Sequence, residues 1–345
     1  MFKTWTQKRR EAIHALDNGE LLVEPDSDVI IIGAGAAGLA AAKALTRLDV
    51  SYTLVEASHR IGGRAYCEEL APGVWFDLGC AWMVGEESNP FAAIADARGI
   101  ALDRKNGGMF RLDNHRFHRN GTALDADERA ACVRYYRDTY RAISTAAAQG
   151  RDVALTDVID TDHAFAAPYL CAVASGWGLD ADLISTADNA STVGELDYQA
   201  LDGYGNLVAL WGADVPVLLN TRVAQINWTG RGITVETNKG SLTGRTALVT
   251  VSTGMLGAGA IRFMPELPDW KTVAINNLPM GTKNKMGLYF DSDVFGAQGR
   301  GHYTLWNDAG NNAPPRRRGG AQRGCGVRWR APRRVARKAR SASLS

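Results

Sequence analysis

Residues 28–64, DVIIIGAGAAGLAAAKALTRLDVSYTLVEASHRIGGR, constrain the fold more than any other part of this chain. Residues 29–32 are apolar and β-branched, a run too short for a helix, so the pattern predicts a strand. Gly33, Gly35 and Gly38 then form G-x-G-x-x-G, and residues 39–48 carry the alanine and leucine of a helix. A second strand over 51–55 ends at Glu56. Gly33 permits a tight turn, Gly35 lets backbone approach a pyrophosphate, and Gly38 allows close helix–strand packing. The helix N-terminus faces the phosphates, and Glu56 is placed to accept the ribose hydroxyls. Ala34 and Ala57, beside these residues, belong to the same expected site. A lone G-x-G-x-x-G is a common turn; here strand, helix and acid are all in register with it, and the stretch predicts a dinucleotide site.

Directly after Glu56 comes RIGGR, with Arg60, Gly63 and Arg64. A guanidinium and flexible glycines beside the pyrophosphate suit a cofactor lying extended across the domain. With these residues the chain resembles the flavin-containing amine oxidases: monoamine and polyamine oxidases, L-amino acid oxidases and histone-demethylating relatives. The resemblance implies FAD rather than NAD.

Further motifs extend it. WFDLGCAW at 75–82 could simply be a core strand. By resemblance it matches D-x-G-(G/A)-x-W, which implies that Ala81 and Trp82 lie against the isoalloxazine. LDGYGNL at 201–207 resembles the family's turn and helix start. Arg222-Val223 precedes alternating strands at 223–227 and 233–237, and the resemblance implies that the Val223 backbone meets the adenine. Residues 246–251 resemble the family's strand that returns to the dinucleotide. In LPMGTKNKMGLYF at 278–290, Lys285 matches the lysine that holds a water against flavin N5 just before a strand. An ammonium there fixes the water and assists reoxidation by oxygen. Lys283 is the competitor and is expected on the exposed side.

The remaining segments are less informative. A short amphipathic leader helix is expected around residues 9–16, a helix over 91–100, and a hairpin over 109–118 with Asn114-His115 in its turn. Residues 125–150 show helical periodicity, and helix continues over 157–183 with a break at 166–168. This helical block sits where the family inserts its substrate domain. His115, His118 and His163 have no ligand spacing, and no metal is expected.

At 345 residues the chain can bury two cores, and 46% hydrophobic with 22% charged residues is ordinary for a globular protein. No apolar run approaches the roughly 20 residues of a membrane span. The charged N-terminus lacks an apolar signal core, and the cysteines at 67, 80, 132, 171 and 325 show no C-x-x-C, so a cytoplasmic setting with reduced thiols is expected.

The net charge of +2 hides an asymmetry. Residues 315–345 hold ten Arg, one Lys and no acid, leaving −9 on residues 1–314. That basic stretch has no periodic apolar face and is expected to be disordered. It has the composition of GC-rich codons translated out of frame, and the resemblance ends near residue 312, without the family's G-E-x-T motif and closing helix.

The expected fold is therefore α/β: a doubly wound, Rossmann-like FAD-binding domain with an inserted, mainly helical substrate domain, and the C-terminal part of the fold missing. Its segments are FAD-binding over 1–85 and from 201, substrate domain over 86–200, the start of the substrate sheet by 312, and the basic tail over 313–345. The expected function is FAD-dependent oxidation of a primary amine or polyamine to an imine or aldehyde, with hydrogen peroxide formed from oxygen. Alternatives are a desaturase or protoporphyrinogen-oxidase-like member of the superfamily, and a catalytically dead remnant. Expected partners are a small amine and molecular oxygen. A homodimer stays open, and nucleic acid enters only through the basic tail.

Overall fold

The computed structural model describes residues 27–105, 112, 115–191, 197–230, 232–290, 292, 301–306, 308 and 325–329. The expected leader helix and most of the basic stretch lie outside them.

Strand β1 (Ser27–Ile32), helix α1 (Ala36–Arg47) and strand β2 (Tyr52–Val55) form the expected unit, with β1 and β2 parallel. A hairpin follows, β3 (Cys67–Ala71) and β4 (Val74–Asp77). Helix α2 (Pro90–Ala97) starts at Asn89, whose side chain accepts the Phe91 N–H. Strand β5 (Leu102–Asp103) precedes the hairpin β6 (His115–Arg119) and β7 (Thr122–Ala123).

Helix α3 (Ala126–Ala148) opens with a capping box, Asp125 accepting from the Glu128 N–H while Glu128 accepts from the Asp125 N–H. Helices α4 (Ala166–Trp177) and α5 (Thr186–Ala190) follow, then β8 (Gln199–Ala200) paired with β5. Helix α6 (Tyr204–Gly212) leads into β9 (Val223–Asn227), β10 (Ile233–Thr237) and β11 (Gly240–Val249). Then come α7 (Thr253–Gly257), β12 (Arg262–Met264), α8 (Asp269–Asn276), β13 (Gly301–Trp306) and β14 (Cys325–Trp329).

The main sheet has the order β12-β9-β10-β11-β1-β2. Strand β1, next to the edge strand β2, lies parallel to both neighbours, while β9, β10 and β11 form an antiparallel meander. Both faces of β1 are covered, which is why it reads as an unbroken apolar run. Ile31 packs with Leu39 and Leu54 on the face of α1, and Ile30 and Ile32 pack with Val55, Val235 and Leu242 on the other. This is the expected α/β, Rossmann-like architecture.

A separate core joins α3 and α4 to a four-stranded sheet, β14-β13-β6-β7, with Tyr136, Ile143, Tyr169 and Phe117 buried in it. No helix among the described residues is long and apolar enough to cross a membrane.

Four local expectations are corrected. The hairpin turns at Asn120-Gly121, both with positive φ (52° and 82°), rather than at Asn114-His115. An Asn-Gly pair matches the twist of a two-residue hairpin, whereas His115 lies inside β6. Pro168 does not break a helix; it sits in the first turn of α4, where its missing N–H costs nothing. Residues 86–105 do not join the helical core: α2 packs on the first core, with Phe91 edge-on to Tyr204 and Trp211. Finally, within the basic stretch, Cys325–Trp329 forms β14 antiparallel to β13. A strand edge supplies backbone partners, which a composition argument about side-chain burial does not count.

Candidate active site

The glycine turn is built by contact. Gly33 has φ +103°, and a Cβ on Gly38 would stand 1.9 Å from the Gly33 carbonyl oxygen. Gly35, the N-cap of α1, differs: a Cβ there would meet nothing within 4 Å, and no side chain caps the helix. Open space thus faces an uncapped helix N-terminus, the geometry that accepts a phosphate.

Glu56 stands across this turn. Its Oε2 accepts the Ala34 N–H at 2.8 Å and its Oε1 accepts the Ser58 N–H at 2.9 Å. The carboxylate is held in place by backbone, with lone pairs left for hydroxyl donors. Ala57 beside it is exposed.

The RIGGR segment closes over the glycine turn. The Gly62 N–H donates to the Ala34 carbonyl at 2.9 Å, and a Cβ on Gly63 would lie 3.2 Å from Gly35 Cα. Arg60 donates through one nitrogen to the carbonyls of Ile61 and Gly63, and its guanidinium sits 3.9 Å from the centre of the Tyr66 ring. The Arg64 side chain is exposed.

The backbone of Arg64 carries the site onward. Its carbonyl accepts the Cys80 N–H at 3.0 Å, and a Cβ on Gly79 would collide with it at 1.8 Å. Gly79, Cys80, buried Ala81 and half-buried Trp82 therefore line up behind RIGGR.

Lys285 arrives here from 208 residues away: its Nζ donates to the Asp77 carbonyl at 3.1 Å and also to the Gly79 carbonyl. The expected strand after it is absent, since residues 281–290 form no regular element. Met286, Leu288 and Tyr289 are exposed, and no strand pairs with this segment among the described residues. Lys283 is exposed, as expected, but its Nζ donates to the Gly176 carbonyl at 3.1 Å.

Val223 sits apart from this group. It is buried in β9 against the second face of the sheet, with Val55 and Leu218. Its neighbour Thr221 reaches the site, donating its N–H to the Glu56 carbonyl at 2.8 Å.

Sequence reasoning missed three supporting residues. The Asp77 carboxylate accepts the N–H groups of Tyr204 and Gly205 at 3.0 and 2.9 Å, capping α6. Thr250 Oγ1 donates toward the carbonyls of Ile32 and Gly33, bracing the glycine turn. Ser58 anchors Glu56. Only the aspartate had a signal, its place in the D-x-G motif.

Burial raises the thiols around the site. Cys67, packed under Gly203 and Gly205, is pushed up to about 11 by desolvation and then by the Asp77 charge. Cys80 is raised by the same two causes, while the Lys285 ammonium pulls it partly back. Burial takes Tyr204 to about 12.

A family model described as an NAD(P)-binding Rossmann-like domain matches residues 31–97, and one described as a flavin containing amine oxidoreductase matches 148–318. The chain is thus similar to the flavin-containing amine oxidases over residues 148–318. Probable polyamine oxidase 4 of Arabidopsis thaliana is 29% identical over 292 residues, covering 76% of this chain and 58% of that protein. Protein FLOWERING LOCUS D of the same plant is 29% identical over 310 residues, covering 78% of this chain and 37% of the other. A triple mutant of putrescine oxidase, from a redesign of its cofactor binding, shares the fold with a TM-score of 0.57 at 19% identity, covering 73% of this chain and 63% of that one. The chain thus spans about three fifths of the length of the polyamine oxidases it matches.

FAD is the cofactor this similarity implies, and the residues present fit it. An open space stands where a Gly35 side chain would be, before an uncapped helix N-terminus, with an oriented carboxylate beyond it.

Proposed function

We propose that this chain carries the cofactor side of an FAD-dependent amine oxidase acting on a primary amine or polyamine. The observation that carries the reading is the Lys285 ammonium, bonded to the carbonyls of Asp77 and Gly79 immediately before Ala81-Trp82.

In this reading Gly33, Gly35 and Gly38 admit the pyrophosphate to the N-terminus of α1, and Glu56 takes the ribose hydroxyls. Arg60 and Gly63 shape the strand that crosses the glycine turn, and Arg64 presents a cation to the phosphates. Ala81 and Trp82 would hold the ring, and Val223 would contribute backbone at the adenine end. A bound flavin would supply the oxidant for two-electron (hydride) removal from the carbon that bears the neutral amine, with oxygen as the final acceptor giving hydrogen peroxide. The released imine hydrolyses to an aldehyde. Lys285 orients a water beside the ring and lends its positive charge as oxygen gains electrons.

The test begins with a visible spectrum of the purified chain after free FAD is removed, followed by peroxide assays with primary amines and polyamines. A retained flavin spectrum and peroxide that falls on the order of 10²-fold in Lys285→Met support the reading. Retained flavin with no peroxide from any amine would refute it.

A further inference from the structure

The segment carrying Lys285 is held at several places, Gly287 packing so that a Cβ would stand 2.8 Å from Leu70 and 2.9 Å from Phe76, and two of the anchors involve its lysines. At one, Gly281 lies against the end of α4 so closely that a Cβ would stand 2.6 Å from the Trp177 carbonyl oxygen and 2.7 Å from that of Gly178. The Thr282 N–H donates to the Gly178 carbonyl at 2.8 Å, and Lys283 Nζ donates to the Gly176 carbonyl at 3.1 Å. At the other, Lys285 Nζ bonds the carbonyls of Asp77 and Gly79. A single residue, Asn284, separates the two lysines.

The first anchor has a physical basis. Gly178 ends α4 in the left-handed region (φ +74°), which turns the chain and leaves the last helical carbonyls facing outward. These are the negative end of the helix dipole, where a lysine ammonium is favoured both by charge and by hydrogen bonding. Helix α4 belongs to the second core, with Tyr169 and Val173 buried in it, whereas residues 77–79 follow the β3–β4 hairpin.

We propose that Lys283 is a positioning residue for Lys285: by docking the 281–283 strap on the C-terminal end of α4, it sets where the Lys285 ammonium rests against residues 77–79. The orientation of α4 in the second core is thereby passed to the cation expected beside the flavin. The catalytic consequence rests on the oxidase reading; the docking itself does not.

Cys80 gives a readout that needs neither flavin nor turnover. Cys80 is an exposed residue whose partly desolvated thiol feels the Asp77 carboxylate, the Lys285 ammonium and Arg64. The rate of Cys80 alkylation by iodoacetamide is measured against pH by peptide mass spectrometry on the full chain. Wild type is compared with Lys285→Met, Lys283→Met, Lys283→Gln and Lys283→Arg.

Lys285→Met is expected to raise the Cys80 midpoint, read as alkylation slowed by roughly threefold at a fixed pH below it. Lys283→Met should reproduce most of that shift, and Lys283→Arg should restore the wild-type profile, because a guanidinium can reach the same helix end. Lys283→Gln, neutral and shorter, should shift like the methionine variant and serves if that variant does not fold. A Cys80 profile unmoved in Lys283→Met and Lys283→Gln while Lys285→Met shifts it would overturn the proposal. So would arginine failing to restore the profile. A shift in both lysine variants with peroxide production unchanged in Lys285→Met would leave the strap standing and remove the oxidase role of Lys285.

Discussion

The Asp77 carboxylate caps α6 across 128 residues of sequence, Oδ1 taking the Gly205 N–H at 2.9 Å while Oδ2 takes the Tyr204 N–H. The carbonyl of the same residue accepts Lys285 Nζ. One residue at the end of β4 therefore ties together the helix that opens in DGYGNL and the lysine of LPMGTKNK. Without Asp77 the first N–H groups of α6 lose their acceptor, since Gly203 at the N-cap has no side chain to offer.

Asp77→Ala should therefore cost about 2 kcal/mol, at the upper end for a lost N-cap because two donors are orphaned together. Asp77→Asn keeps one acceptor and should recover roughly half of the loss. Urea denaturation of the three proteins decides this, and an alanine variant as stable as wild type would show that the cap is dispensable.

The three glycines of the turn should separate by experiment. Gly38→Ala puts a methyl 1.9 Å from the Gly33 carbonyl oxygen, so the turn or α1 must shift, at a cost of about 1–3 kcal/mol. Gly35→Ala meets nothing within 4 Å and should leave thermal stability unchanged or slightly higher. The same methyl occupies the space facing the helix N-terminus and should weaken FAD binding by tenfold or more, on the order of 1.4 kcal/mol. Calorimetry and FAD titration together distinguish the two variants; equal stability losses would contradict the packing.

Glu56→Gln tests the orienting bonds. A glutamine retains one acceptor oxygen, so either the Ala34 or the Ser58 N–H meets an amide donor in place of its present partner. A stability loss of about 1 kcal/mol is expected, with a larger proportional loss in FAD affinity. FAD fluorescence quenching gives the affinity, and an unchanged value would remove Glu56 from the ribose site.

Stability should fall on the alkaline side. Burial holds the thiols of Cys67 and Cys132 up to about 11 and about 12, above the range of a thiol in the unfolded chain. The unfolded state gives up these protons first. The contribution is thus whole below about pH 8.5 and is lost as pH rises through the folded values, by about 1.4 kcal/mol per unit for each thiol. Cys132→Ala should flatten the slope of unfolding free energy between pH 9 and 11 relative to wild type. Parallel slopes in the two proteins would show that Cys132 does not titrate as its burial requires.

Much of the fold was legible because the relevant interactions are local. Residues within a few positions decide a short β-branched strand, a glycine turn and the helix after it, and β1, α1 and β2 occur where the pattern puts them. The capping box of α3 is local in the same sense. The Asn120-Gly121 turn is equally local, an Asn-Gly pair with positive φ at both residues.

What the chain could not announce by itself depends on partners far away in sequence. The placement of α2 on the first core follows from Phe91 meeting Tyr204 and Trp211, more than 100 positions later. Thr250 braces the glycine turn because β11 lies parallel to β1, and the Asp77 cap exists because α6 begins beside the end of β4. The sequence alone determined that a glycine turn of dinucleotide spacing and its acid are present, since each is a matter of residue type and short spacing, while the family resemblance singled out Lys285. Only the tertiary structure decided that Lys285 reaches residues 77–79 and that Lys283 holds the end of α4. A lysine's reach is spent on whichever carbonyls the packing of two separate cores brings within about 3 Å.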